Sequence, residues 1–171
     1  PVVIAGSGPA GMVTALELAR HGVRSVVLEA ELQVSQGSRA IVFTRRSLEI
    51  LQQVGVAHRI TESGLPWRFG NSYYRGQKVF RMEAPHDPDD RFFPMINIQQ
   101  QYLEEYLVDA CRASPLIDFR WGNKVVAVDQ AGDHAVVQVD TPEGPYTLQA
   151  DWLVAADGGR SEIRSMLGCR L

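Results

Sequence analysis

Cysteine is scarce in this chain. The 171 residues include two, Cys111 and Cys169, far apart and in no C-x-x-C or zinc-ligand spacing. That excludes a disulfide scaffold or a zinc ribbon and fits a reducing compartment, the cytoplasm. No metal site is read from the sequence. A basic surplus is also lacking. At a net charge of −3 the chain offers no electrostatic footprint for nucleic acid or an anionic membrane. No apolar run approaches the roughly 20 residues of a membrane-spanning helix, and no secretory leader pattern stands ahead of the first apolar run. Internal repeats and low-complexity segments are absent too. What remains, 45% hydrophobic and 22% charged, is an ordinary globular composition long enough for one sizeable domain. Pro1 leads straight into a strand pattern and Leu171 follows a helical one, so the chain reads as part of something longer.

The most informative stretch is the first. Val2, Val3 and Ile4 suit a strand buried on both faces. Gly6, Gly8 and Gly11 then spell G-x-G-x-x-G, a helical segment runs from Pro9 to about His21, and Gly22 ends it. Ser25 to Leu28 is a second apolar run closed by Glu29, with Ala30 behind it. Each part suits a pyrophosphate. Gly6 permits a sharp turn out of the strand, and Gly8 lets anionic oxygens approach the backbone. Pro9 occupies the first helical position at no hydrogen-bonding cost. The N–H groups around Ala10, at the positive end of the helix dipole, face the anion. Gly11, Ala15 and Ala19 form a ridge of small residues that lets the helix lie close on a sheet, with Met12, Val13 and Leu16 beside it. Glu29, at the end of the second strand, can accept bonds from both hydroxyls of a ribose and would repel a 2′-phosphate. Strand, glycines, helix and acid in this order predict a bound dinucleotide with an unphosphorylated ribose.

Further along, Glu31 to Ser38 reads as a loop, Thr44 as a helix cap, and Ser47–Val54 and Val56–Ser63 as helices stopped by Gly55 and Gly64. His58 reads as an exposed helical residue. Trp67 to Met82, rich in aromatics around Arg75-Gly76-Gln77, predicts a β-hairpin, part of an antiparallel excursion over 64–98. Gln99–Ala113 is an amphipathic helix and Ile117–Trp121 a strand. Lys124–Asp129, Ala135–Asp140 and Tyr146–Ala150 predict a three-stranded antiparallel meander. Trp152–Ala156 is strand-like, and Ser161 caps a last helix. The expected fold is α/β, a Rossmann-like FAD/NAD(P)-binding domain with a parallel sheet, the meander and the hairpin excursion. One FAD-binding domain is expected over 1–171, with 64–98 contributing to a substrate-domain sheet.

Three landmarks carry a family resemblance: the fingerprint ending at Glu29; Ser38-Arg39-Ala40 followed by Arg46-Ser47-Leu48-Glu49-Ile50-Leu51; and Val154-Ala155-Ala156-Asp157-Gly158-Gly159-Arg160-Ser161 with Arg164. The chain resembles the FAD-dependent aromatic hydroxylases, the single-component flavoprotein monooxygenases typified by p-hydroxybenzoate hydroxylase and the phenol-type hydroxylases. The resemblance implies FAD as cofactor and NAD(P)H as a transient co-substrate with no domain of its own. It further implies a C4a-hydroperoxyflavin that hydroxylates an electron-rich ring, so that the partners are a small aromatic substrate and O₂. A homodimer stays open, as does the choice of NADH or NADPH.

By the same resemblance Arg39 contacts the FAD pyrophosphate or ribityl chain. Gln100, flanked by Gln99 and Gln101, touches the ribityl or phosphate, and the backbone of Val125 meets the adenine. Asp157 and Gly158 line the cofactor channel. A later Gly-Asp motif of the family falls outside this chain. Ile41 stands where some phenol-type members carry a catalytic aspartate, so the catalytic acid or base is unknown. The alternatives are a flavin-dependent reductase or halogenase on the same scaffold, a non-catalytic flavin-binding module, and an NAD-only Rossmann dehydrogenase, against which the meander and the Asp-Gly element speak.

Overall fold

The computed structural model describes residues 1–34 and 40–169. It divides into two compact units, Pro1–Ser35 with Glu104–Leu171, and Gln36–Leu103.

The first unit is built on a parallel sheet. Strand β1 (Val2–Ala5) leads through helix α1 (Pro9–Arg20) to β2 (Ser25–Glu29). Helix α4 (Gln100–Ala113) carries the chain into β8 (Ile117–Trp121), and β12 (Trp152–Ala155) completes a sheet in the order β12-β1-β2-β8. Every pairing in it is parallel, with Val3 opposite Val26 and Leu153, and Ile4 opposite Val27 and Val154. Such a sheet must be covered on both faces, and the continuous apolar run of β1, buried at every position, shows it. On one face Val3 and Leu28 pack against Val137, Val139 and Ala150 of the meander. That meander is β9 (Lys124–Ala131), β10 (His134–Asp140) and β11 (Tyr146–Ala150), antiparallel as its turn residues predict. The alternate positions, Ile4 and Val27, are fully buried on the opposite face, where α1 supplies Met12, Ala15 and Leu16. Each fully buried Val, Leu or Ile is worth about 1.5–3 kcal/mol. The Cys111 thiol, on α4, lies against the Met12 carbonyl, and burial pushes it up to about 12.

The second unit is antiparallel. Strands β3 (Val42–Thr44) and β4 (Leu65–Trp67) both pair with β7 (Met95–Asn97), giving the order β3-β7-β4. Helices α2 (Arg45–Gln53) and α3 (Ala57–Ser63) fall close to their expected bounds and bury Leu48, Leu51, Ala57 and Ile60. The hairpin is β5 (Phe69–Tyr74) and β6 (Gln77–Glu83), with Arg75 and Gly76 both at positive φ in the turn. That is the turn geometry whose twist matches two paired strands. Trp67, expected in the hairpin, instead ends β4, and its indole N–H donates to Asn97 Oδ1 across the sheet at 2.6 Å. Thr44 sits at the N-cap of α2 without a side-chain bond to the helix backbone; its hydroxyl lies 3.3 Å from that of Ser47. The cap expected of Ser161 does form, with its Oγ accepting from Arg164 N at the start of α5 (Glu162–Met166).

Candidate nucleotide site at the carboxyl ends of the parallel strands

Chain order and sheet order disagree between β1 and β12: from β1 the chain proceeds outward through β2 to β8, and β12 returns to the other side. In open parallel sheets this reversal opens a crevice at the carboxyl ends of the strands, where ligands bind. The glycine turn after β1, Glu29 at the end of β2 and Asp157 after β12 all lie at that end.

The three fingerprint glycines have different neighbours. Gly6 has φ +103°, and a Cβ on it would overlap the Ala156 carbonyl. A Cβ on Gly11 would overlap Gly6 O, so this glycine lets α1 close on the turn. Gly8 differs: its φ of −63° suits any residue, and among the described residues no atom beyond its chain neighbours lies within 4 Å of its would-be Cβ. The chain's own packing gives no reason for a glycine there, whereas an approaching phosphate does. Gly8 is also the N-cap of α1, with Pro9 and the exposed Ala10 in a first turn that holds no acidic side chain. Its leading N–H groups have no intrahelical acceptor. The residues present therefore fit a pyrophosphate.

Glu29 is tied to this turn. Its Oε2 accepts from Ser7 N at 2.8 Å and Ser7 Oγ at 2.7 Å, and its Oε1 accepts from Glu31 N at 3.0 Å. The Glu29 carbonyl accepts from Asn123 N at 2.7 Å. Asn123 Oδ1 in turn accepts from the Tyr146 hydroxyl, to which Arg120 also donates. This network sets the start of β9, and so Val125, beside the end of β2. Val125 is half-buried and pairs with Val139 of the meander. Ala30 follows Glu29 in an exposed bend.

Asp157 has a task within the fold itself. Its Oδ2 accepts from Ile163 N at 3.1 Å and so helps Ser161 start α5. Burial alone would raise this carboxyl, but the Ser161 hydroxyl and the backbone N–H groups outweigh it and hold the group below the usual carboxylate range. Its Oδ1 is buried and has no partner among the described residues. Gly158 continues in a left-handed turn.

The structure thus brings together Gly6, Gly8, Pro9, Ala10, Gly11, Glu29, Ala30, Val125, Asp157 and Gly158 in the first unit. Gln100 belongs to the second unit, where its N–H donates to Ala40 O at 3.1 Å. Arg39 lies outside the described residues. The residues not anticipated are Ser7 and Asn123. The sign of the first was a hydroxyl placed between two fingerprint glycines; nothing local marked the second. A cleft of about 380 Å³ lined by Gln52, His58, Thr61, Arg91 and Phe92 belongs to the second unit and includes none of the predicted site residues. Among the described residues no group of three or more His, Cys, Asp or Glu could hold a metal, and no helix is long and apolar enough to cross a membrane.

Sheet order, glycine turn and anchored acid define a Rossmann-like dinucleotide-binding domain. The chain belongs to the FAD binding domain family, whose model matches residues 1–171. It is 31% identical to para-nitrophenol 4-monooxygenase of a Pseudomonas species (strain WBC-3), covering 98% of this chain and 42% of that one. The crystal structure of p-nitrophenol 4-monooxygenase from Pseudomonas putida DLL-E4 superposes with a TM-score of 0.90 at 31% identity, over 98% of this chain and 43% of the other. A flavin-dependent monooxygenase solved with FAD and substrate gives a TM-score of 0.86 at 30% identity, over 98% and 32%. The chain thus spans less than half the length of these relatives.

Proposed function

We propose that this chain is the FAD-binding part of an NAD(P)H-dependent monooxygenase that hydroxylates a small phenolic ring with O₂. The observation that carries the reading is Gly8: a glycine that the chain's own packing does not require, at the helix end beside an anchored Glu29. FAD, when bound, supplies the electron transfer and the activation of O₂. The chain's residues bind and orient it. The first turn of α1 takes the pyrophosphate, and Arg39 adds a bidentate cation there. Glu29 holds the adenosine ribose, the backbone at Val125 meets the adenine, and Gln100 reaches the ribityl or phosphate. Asp157 and Gly158 line the channel toward the ring. Relatives acting on nitrophenol support a phenolic substrate.

The outer edge of β12 is unpaired among the described residues, and Trp152 on it is exposed. A further segment of the full-length protein covers that edge, and the excursion over 64–98 joins a substrate-domain sheet. The protein works in the cytoplasm, and NAD(P)H visits without a domain of its own.

The test is the full-length protein, purified with its flavin. Released cofactor should be FAD, NAD(P)H oxidation should rise with an added phenol, and label from ¹⁸O₂ should appear in a hydroxylated product. Flavin reduction without labelled product would favour a reductase, and halogenated product a halogenase. Bound FAD that NAD(P)H does not reduce would leave a flavin-binding module.

A further inference from the structure

A carboxylate offers about four acceptor positions. In Glu29 three are taken by the chain itself: Ser7 N and Ser7 Oγ on Oε2, Glu31 N on Oε1. Ser7 is itself buried, and its hydroxyl is spent on this one bond at 2.7 Å. Two donors on one oxygen and a third on the other fix both the position and the rotation of the carboxylate. An acid that was free to rotate could meet a ribose through both oxygens. Among the described residues no further donor reaches this carboxylate, which leaves one acceptor position, on Oε1.

We propose that Ser7 is a positioning residue that sets ribose selectivity. By saturating Oε2 it leaves Glu29 a single acceptor, so that cofactor binding depends on one ribose hydroxyl far more than on the other. The inference rests on Glu29 facing the adenosine ribose. Ser7 touches the carboxylate and acts through it. Without the hydroxyl, Oε2 regains an open position while Ser7 N and Glu31 N still hold the two oxygens, so each oxygen can take one ribose hydroxyl and neither hydroxyl dominates.

The experiment measures dissociation constants of the full-length apoprotein for FAD and for two FAD analogues carrying 2′-deoxyadenosine or 3′-deoxyadenosine. In the parent, one analogue should bind weaker by roughly tenfold or more, the scale of a hydrogen bond to a charged acceptor, and the other should stay within about threefold of FAD. Ser7→Ala should bind FAD several-fold more weakly and bring the two analogues within about threefold of each other. A packing defect would weaken all three ligands alike and leave their ratio unchanged, and that result overturns the proposal. Parent protein that loses affinity equally for both analogues also overturns it while keeping Glu29 on the ribose. Parent protein indifferent to both removes Glu29 from the ribose and the proposal with it. Should Ser7→Ala fail to fold, Ser7→Cys, of similar size and a weak donor, carries the same reading.

Discussion

Strand β1 and strand β6 make opposite use of apolar side chains. In β1 all four residues are buried, between a meander and a helix. In β6 Val79 and Phe80 are about 60% exposed, and Tyr73 and Tyr74 on the partner strand are equally open. The chain buries β1 with its own residues. In β6 and its partner it leaves large apolar groups open, the pattern expected of a ribbon that another surface would cover. The same contrast runs through the nucleotide site at the scale of single atoms.

The sharpest way to break the comparison is to truncate both strands in the full-length protein. Ile4→Ala removes a fully buried side chain and should cost about 2–5 kcal/mol in denaturant unfolding. Phe80→Ala should cost less than about 0.5 kcal/mol if the hairpin stays exposed, but about 3–5 kcal/mol if the rest of the protein covers it. The second outcome would show that this surface is completed by the longer chain.

Next come two glycines. Gly6→Ala meets the Ala156 carbonyl at a positive φ and should destabilise the fold by at least about 1–3 kcal/mol. Gly8→Ala adds a methyl that meets no atom of the described residues beyond its chain neighbours. As an N-cap change it should lower the melting temperature only modestly, by less than Gly6→Ala does, yet weaken FAD by roughly tenfold or more, about 1.4 kcal/mol. A Gly8→Ala protein with parent-like affinity would remove the phosphate from that spot.

Glu29→Ala should weaken FAD binding by about 1.5–3 kcal/mol, read by flavin titration, with little effect on folding. The smallest effect concerns Asp157. Its carboxyl is held below its ordinary value, so it adds stability above the unfolded-state value and loses it as pH falls through the folded one. Asp157→Asn should therefore be less stable than the parent at neutral pH, and the gap should close in strong acid. A constant gap across that titration would mean the charge contributes nothing.

The sequence made the first region legible because its constraints are local. A β-branched run, three glycines at fixed spacing and a proline at the first helical position each restrict the backbone where they stand. The meander was legible for a similar reason, its turn residues alternating with period-2 strands. The β3-β7-β4 sheet was not, since three-residue strands are too short to show alternation and their pairing is non-local. Trp67 was misplaced for that reason. The Ser7 to Glu29 bond spans 22 residues and no spacing rule predicts it. Asp157 was expected to serve the cofactor, and its second task as a helix-starting acceptor depends on how β12 ends.

The seating of Gly6 against Ala156 also sets a clock. The two lie about 150 residues apart. At roughly 5–20 residues per second on the ribosome, the nascent chain waits some 8–30 s between making the glycine turn and making the strand that closes over it. Through that interval the glycine turn lacks the Ala156 carbonyl that packs against it. A ribosome stalled before Ala156 therefore displays a glycine turn whose closing strand has not yet been made.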